Sequence, residues 1–315
     1  MAQGTMETRL ESRIRGAAPW LLIYRRKAEH LFFQILMYLM LLNIAFAFLL
    51  PVFYMTSTSL MTIEDFVDPA VYWVPTVFNW ENFQLAYMGM NYTVALKNSA
   101  IIALGATLGQ VITCALAGYG FGRGQFPGRE LLFGLVLFTF IVPPQTIIVP
   151  LFILYRNLDW IDTFYPFIIP SFFAHGLRGS LFVIIFRQFF RGLPWELEDA
   201  ARIDGAGPIR TFSRIMLPLA KPAIVVSFLF SLVWHWNDFY EPMMYLMKPE
   251  RFTVPLRLQI LYQSLNEMTG GQAGELYNEP LIMAACFLIV LPPLILYLFT
   301  QRHFVESVER TGLVG

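Results

Sequence analysis

Charge is what this chain has least of. Asp, Glu, Lys and Arg make up 14% of its 315 residues, and 22 basic residues are balanced by 22 acidic ones. Average soluble domains carry roughly 25% charged residues, so a single soluble core does not account for the apolar surplus. The balanced charge gives no footing for nucleic acid. Cysteine is nearly absent as well. Cys114 and Cys286 both fall in apolar runs, where each acts as a small hydrophobe, with neither a disulfide framework nor a metal spacing around it. The four histidines are scattered, which argues against a metal centre. Also missing are the phosphate-cradling G-x-x-x-x-G-K-[ST] loop, H-E-x-x-H and G-x-S-x-G, the local signatures of nucleotide binding and hydrolase chemistry.

What is plentiful is apolar sequence: 57% of residues, with a mean hydropathy of +0.55. Six stretches reach the roughly 20 residues needed to cross a bilayer, near 31–54, 98–120, 131–154, 163–189, 220–247 and 281–301. The first is too long for a signal-peptide core and no small-x-small cleavage site follows it. The expected fold is an all-α membrane protein of six transmembrane helices. Sixteen Lys and Arg fall on one side: six before the first span, Arg123 and Arg129 in the second connection, six from Arg187 to Lys221, and Arg302 and Arg310. The other side holds Lys97, Arg156, Lys248, Arg251 and Arg257. Basic residues mark the cytoplasmic face, so both termini are expected there, in a prokaryotic cytoplasmic (inner) membrane. The chain then divides into an N-terminal segment 1–30, a first helix with its external loop 31–97, a five-helix core 98–301, and a C-terminal tail 302–315.

Two external loops, 55–97 and 248–280, are long and rich in aromatics. They suit either an interfacial aromatic belt or a docking surface for an external partner, with Gly270, Gly271 and Gly274 allowing a sharp turn or close approach. The spans carry many glycines and prolines, among them Gly118, Pro143, Pro144, Pro166, Pro170, Gly176, Gly179, Pro292 and Pro293. Small residues let membrane helices approach and prolines bend them.

One stretch contrasts with this background. Residues 196–218, ELEDAARIDGAGPIRTFSRIMLP, hold four acids, three arginines, two glycines and two prolines between apolar runs. In WELEDAARID, Leu197, Ala200, Ala201 and Asp204 recur at helical spacing, and Glu198 precedes Arg202 by four, the favourable order for an ion pair. Asp204-Gly205 reads as a helix stop, with Gly205 left-handed. Pro208 suits the first turn of a new helix, on which Ile209, Phe212 and Met216 share a face, and Pro218 disfavours helical geometry at Leu217. The stretch 195–218 is therefore an elbow of two helices on the cytoplasmic side. An amphipathic connector on the lipid surface fits too, although Ala and Gly anchor poorly in lipid and suit close protein–protein approach.

The spacing is specific. Asp199-Ala200-Ala201 is followed by three residues, Gly205, nine residues, then Ile215-Met216-Leu217-Pro218. This resembles the E-A-A, three residues, G, nine residues, I-x-L-P pattern of permease subunits of ATP-binding-cassette importers, with Asp199 in place of the usual Glu and Glu198 just before it. The likeness runs over nearly the whole chain and is nearest to the carbohydrate-type, MalG-like group, through FPGRELLFGLVLFTFIVPPQTIIVPLFILYRNLDWIDTFYPFIIP, FRQFFRGLPWELEDAARIDGA and WHWNDFYEP. The tail QRHFVESVERTGLVG departs from the family's basic-Gly ending.

The resemblance implies a type I importer permease fold. It implies a second homologous permease subunit, two copies of a cytoplasmic ATPase and an extracytoplasmic solute-binding protein, all working in membrane lipid without nucleic acid. Such a chain carries no cofactor and catalyses no reaction; ATP and Mg belong to the partner ATPase. The elbow would be the coupling element. Asp199 or Glu198 would offer charge to the ATPase, Ala200 and Ala201 would permit close approach, Gly205 would set the angle, and Ile215, Leu217 and Pro218 would anchor the second helix. Disaccharide, oligosaccharide, sugar alcohol and glycerol-3-phosphate systems share this pattern, with specificity resting largely on the binding protein.

A second polar cluster, WHWNDFYEP at 234–242, falls inside the fifth span. Ionisable residues there are expensive and point to function. Trp236, Asn237 and Asp238 are candidates to line a translocation path, or to form a helix-packing hydrogen-bond network; His175 and Arg178 are ambiguous in the same way. An ion-coupled secondary transporter with Asp238 and His235 as relay is the alternative, but no internal repeat of the kind such proteins use is present.

Overall fold

The structure, a computed structural model, describes residues 19–175, 178–272, 274 and 278–312, with side chains over 27–175, 178–272, 274 and 278–301. Gly176, the arginines at 9, 13 and 15, and the last three residues lie outside what is described, as do the side chains of Arg302 and Arg310. Every regular element among the described residues is helical, as the apolar runs require.

Two units are separable, 1–57 and 58–315. The first contains most of α1 (Pro19–Ser59). Its polar side chains bond back along the helix, Asn43 Nδ2 to the Leu39 carbonyl at 2.8 Å and Thr56 Oγ1 to that of Val52 at 2.7 Å, and the side chains from Leu31 to Leu50 face outward. That pattern suits a helix whose solvent is lipid.

The second unit is built around α2 (Tyr92–Arg123). It packs along α5 (Gly179–Gly192) and α7 (Lys221–Asn237), and α7 packs on α8 (Glu279–Gly312). Between α2 and α5 lie α3 (Arg129–Ile141) and α4 (Pro144–Asn157), which meet at a 99° bend. Pro143 lacks the N–H to continue α3, and Pro144 suits the first turn of α4. One core gathers Phe182, Phe186, Phe190, Cys114 and Met216 near the Arg123 end of α2. Another joins Ala86, Met90, Leu261, Leu265 and Leu281 near its Tyr92 end.

By length and composition α1, α2 and α8 can each cross a membrane. Two bent pairs, α3 with α4 and Pro208–Leu219 with α7, bring the number to five. The run expected as one span over 163–189 is instead built in pieces: Tyr165–Ile168, a 3-10 turn at Pro170–Phe173, then the 14-residue α5. Pro166 and Pro170 remove donors. Ala174 and Arg178 take left-handed φ of 55° and 58°. Thr113 of α2 supports the break, since its hydroxyl donates to the Ser171 carbonyl at 2.9 Å and accepts the Ala174 N–H at 3.1 Å. The run over 220–247 also divides: α7 stops at Asn237 and a short helix runs from Tyr240 to Tyr245. Leu217 differs from expectation as well. It is helical, and the 77° turn into α7 falls after Leu219.

Candidate functional site

The elbow is present and its turn is where the dipeptide Asp-Gly places it. Helix α6 (Glu196–Ile203) has three acids in its first turn and Arg202 in its last, complementing the helix dipole at both ends. Gly205 follows with φ +74°, the left-handed conformation that closes a helix at little cost only in glycine. Its N–H bonds to the Arg202 carbonyl at 3.0 Å, and the Ala206 N–H to that of Ala201 at 2.9 Å. Pro208 then opens Pro208–Thr211, which passes into a π-helical turn over Phe212–Met216.

The structure separates the two adjacent acids. Glu198 is buried at 4% exposure, while Asp199 is exposed and pairs with Arg202 at 3.5 Å. Arg202 also reaches Glu198, at 4.0 Å. Ala201 turns inward with Glu198, whereas Ala200 is exposed. Met216 is buried, Ile215 and Leu217 pack on the same core, and Pro218 is exposed. Two large apolar side chains stand out on the outer surface. Ile203 is 87% and Ile209 84% exposed, flanking the Gly205 turn. Ile209 was expected to share a face with Phe212 and Met216; those two pack on one core and Ile209 does not join them.

The second polar cluster is dispersed. Trp236 is buried and its Nε1 donates to the Ile289 carbonyl at 3.0 Å. Asn237 is exposed. Asp238 accepts the N–H groups of Tyr240 at 3.1 Å and Glu241 at 3.4 Å, so its carboxylate starts the helix that follows. His235 faces Gln110, with Nε2 3.3 Å from Oε1, whereas the Asp238 carboxylate is taken up by the N–H groups that follow it. Glu241 is the member of this cluster that reaches a cavity, of about 540 Å³, which it lines together with His175, Arg178, Ser180, Tyr155 and Phe138. Arg178 also lies over the Trp234 ring at 4.9 Å. In the loop expected to be external, Gly270 and Gly271 follow the helix Leu261–Met268, both with positive φ. No group of three or more His, Cys, Asp or Glu with metal-binding geometry occurs among the described residues.

Bent apolar helices around a largely apolar cavity that holds a few charged and polar side chains, with a structured polar elbow on one connection, are the features of a multi-pass membrane transport subunit. The chain belongs to the family of binding-protein-dependent transport system inner membrane components, whose model matches residues 111–310. It is 30% identical over 277 residues to a probable ABC transporter permease of Pyrococcus horikoshii, covering 87% of this chain and 93% of that protein. It is 29% identical over 269 residues to the trehalose transport system permease SugB of Mycobacterium tuberculosis, covering 85% and 93%. A 30% identity over 240 residues links it to the sn-glycerol-3-phosphate transport system permease UgpE of Pectobacterium atrosepticum, covering 74% and 81%. The fold matches a crystal structure of a bacterial ABC transporter involved in import of the acidic polysaccharide alginate, with TM-score 0.73, 22% identity and coverage of 87% and 96%. The chain is a permease subunit of an ABC importer.

Proposed function

We propose that the chain forms half of the membrane path for a sugar or sugar-like solute and is driven through its elbow by a cytoplasmic ATPase, with both termini on the cytoplasmic side. The observation that carries this reading is the outer face of the elbow. Ile203 and Ile209 stand almost fully exposed on either side of Gly205, beside exposed Asp199 and Ala200. Large apolar groups in an otherwise polar segment call for a protein cover, and a carboxylate beside them gives that cover a charged contact. Glu198 and Ala201 hold the elbow from inside, while Ile215, Leu217 and Pro218 join it to the bundle.

ATP and Mg are bound by the ATPase, present in two copies, and a second homologous permease completes the path. The solute arrives on an extracytoplasmic binding protein, for which the loop at Gly270 and Gly271 offers a contact. Along the path we place exposed Asn237 with Glu241 and Arg178 of the cavity; Trp236 and Asp238 set the geometry of that stretch. Aromatic faces with amide, carboxylate and guanidinium groups suit a hydroxyl-rich solute. The names of the trehalose and glycerol-phosphate relatives support this class of cargo.

The test is purification of the tagged chain from its native membranes in mild detergent, with co-purifying chains identified by mass spectrometry. A nucleotide-binding subunit and a second permease are expected. Recovery of the chain alone, still moving solute in vesicles without ATP, would overturn the reading.

A further inference from the structure

Arg123 is the last residue of α2, and its side chain is 1% exposed. It is turned towards the end of α5 and the start of α6. Nε donates to the Phe190 carbonyl at 2.7 Å, and Nη2 donates to the carbonyls of Leu193 and, at 3.5 Å, Pro194. The Phe190 carbonyl also accepts the Leu193 N–H at 3.3 Å, so Arg123 is its second donor. Pro194 has no N–H to return to Phe190 four residues earlier. The guanidinium lies 4.2 Å from the centre of the Trp195 ring, and Nε is 3.7 Å from the Glu198 carboxylate. Tyr119 and Arg202 face the same carboxylate. One side chain from α2 thus holds three successive parts of the connection: the last turn of α5, the extended Leu193–Pro194 link, and the first turn of α6. Arg187 of α5 reaches back, donating from Nε to the Phe121 carbonyl at 3.3 Å. The two helices are tied in both directions at this end.

We infer that Arg123 is a positioning residue that makes the elbow and the adjoining end of α2 one mechanical body. A displacement of α6 by the ATPase is then delivered to α2 instead of being absorbed at the Leu193–Pro194 link. The inference rests on the reading of the elbow as the ATPase contact. It explains why a buried arginine is used: its planar fork reaches the carbonyls of Phe190, Leu193 and Pro194 from two nitrogens in fixed geometry while its charge lies beside the Glu198 carboxylate, and a lysine ammonium, a point charge on a flexible stem, does not hold that geometry. It also gives Glu198 a function distinct from that of Asp199, as the counter-charge that makes the buried guanidinium tolerable.

The experiment needs no knowledge of the solute. Gly120 lies on α2 three residues before Arg123, and a Cβ added there meets nothing within 4 Å. Gly120→Cys is placed in a chain with Cys114 and Cys286 replaced by alanine, and the transporter complex is purified with its ATPase subunit. Maleimide labelling of that cysteine is timed without nucleotide and after trapping with ATP and vanadate. With Arg123 intact, trapping is expected to change the labelling rate by about fivefold or more, the scale of an ordinary coupling between sites. Arg123→Gln and Arg123→Lys are expected to abolish most of that response while the ATPase subunit stays bound and hydrolyses ATP. A purely structural role would lower the yield of complex and leave the nucleotide response of what assembles unchanged; that result overturns the inference. So does an intact chain whose labelling ignores nucleotide. Absence of the ATPase subunit from the intact complex would strike the docking reading itself, which separates the two failures. If Arg123→Gln does not assemble, Arg123→Lys, which keeps the charge beside Glu198, carries the same comparison.

Discussion

Gly118 of α2 sits against Phe186 of α5 so closely that a Cβ on the glycine would lie 2.4 Å from the Cβ of Phe186 and 2.8 Å from the backbone N of Arg187. Neither neighbour is the tip of a flexible side chain. The crossing lies one turn above Arg123, and it sets how far the end of α5 stands from α2. Gly118→Ala is expected to force the helices apart and destabilise the protein by about 1–3 kcal/mol, the usual cost of overpacking. Thermal unfolding in detergent reads this directly. Gly120→Ala, with open space around its Cβ, is the matched control and is expected to unfold at or slightly above the parent temperature.

Gly205 makes a different kind of demand. Nothing lies within 4 Å of an added Cβ there, so the cost of a side chain is confined to its φ of +74°. Gly205→Val is expected to cost about 1–2 kcal/mol of local strain, relieved by refolding the turn. The protein should still reach the membrane. Transport should fall at least tenfold while any ATPase activity of the complex persists, and Gly205→Asn, which tolerates the left-handed region, should retain more. Transport by Gly205→Val at the parent rate would remove the elbow from the mechanism.

Gln110 is the acceptor at the centre of a buried cluster. Ser231 Oγ donates to its Oε1 at 2.7 Å and lies 3.1 Å from Thr107 Oγ1, and His235 Nε2 is 3.3 Å away. Gln110→Leu keeps the volume but leaves Ser231 and His235 without that partner. A loss of about 1–2 kcal/mol is expected, within the range for hydrogen bonds between membrane helices. A thermal shift in detergent would show it, and the loss should fall mainly on His235, since the Ser231 hydroxyl keeps Thr107 Oγ1 as an acceptor at 3.1 Å.

Asp162 fastens one turn to another. Its Oδ1 accepts the N–H groups of Met247 at 3.2 Å and Lys248 at 3.0 Å, and Oδ2 is 3.3 Å from the Lys248 ammonium. Burial pushes this carboxyl up, but those N–H groups and the Lys248 ammonium more than offset it, holding the group below the ordinary aspartate value. A depressed folded-state value stabilises the protein above the unfolded pKa, and the gain disappears as pH falls through the folded one. The contact should therefore be intact at neutral pH and be lost only below about pH 4. Hydrogen exchange at residues 246–248, followed as pH falls and corrected for intrinsic rates, would show it. Asp162→Ala should raise that exchange at neutral pH, whereas Asp162→Asn, which keeps an acceptor and tolerates φ of 60°, should raise it less.

The elbow was legible because its signals are local. Acids in the first turn, Asp204-Gly205, and Pro208 act within a few residues, and the structure has a helix stop, a left-handed turn and a helix start at those places. Which side of α6 faces inward was not legible. The spacing of Leu197, Ala200, Ala201 and Asp204 suggests one face, yet Glu198 and Ala201 are the buried pair. Burial of Glu198 depends on Arg123, whose position beside it follows from the packing of α2 on α5. Likewise the prolines at 166 and 170 warn of a break, but its support comes from Thr113 on another helix.

Composition and periodicity by themselves determined that the chain is a helical, multi-pass membrane protein, because nearly continuous apolar runs leave the backbone no partner but itself. The fixed spacing from Asp199 to Pro218 carried the family likeness. Tertiary structure decided what the polar residues inside those runs do. Asp238 caps a short helix, His235 joins the Gln110 cluster, and Glu241 alone of its stretch faces the 540 Å³ cavity. A buried polar group takes its role from the partner nearest to it, and that partner is set by how distant helices pack.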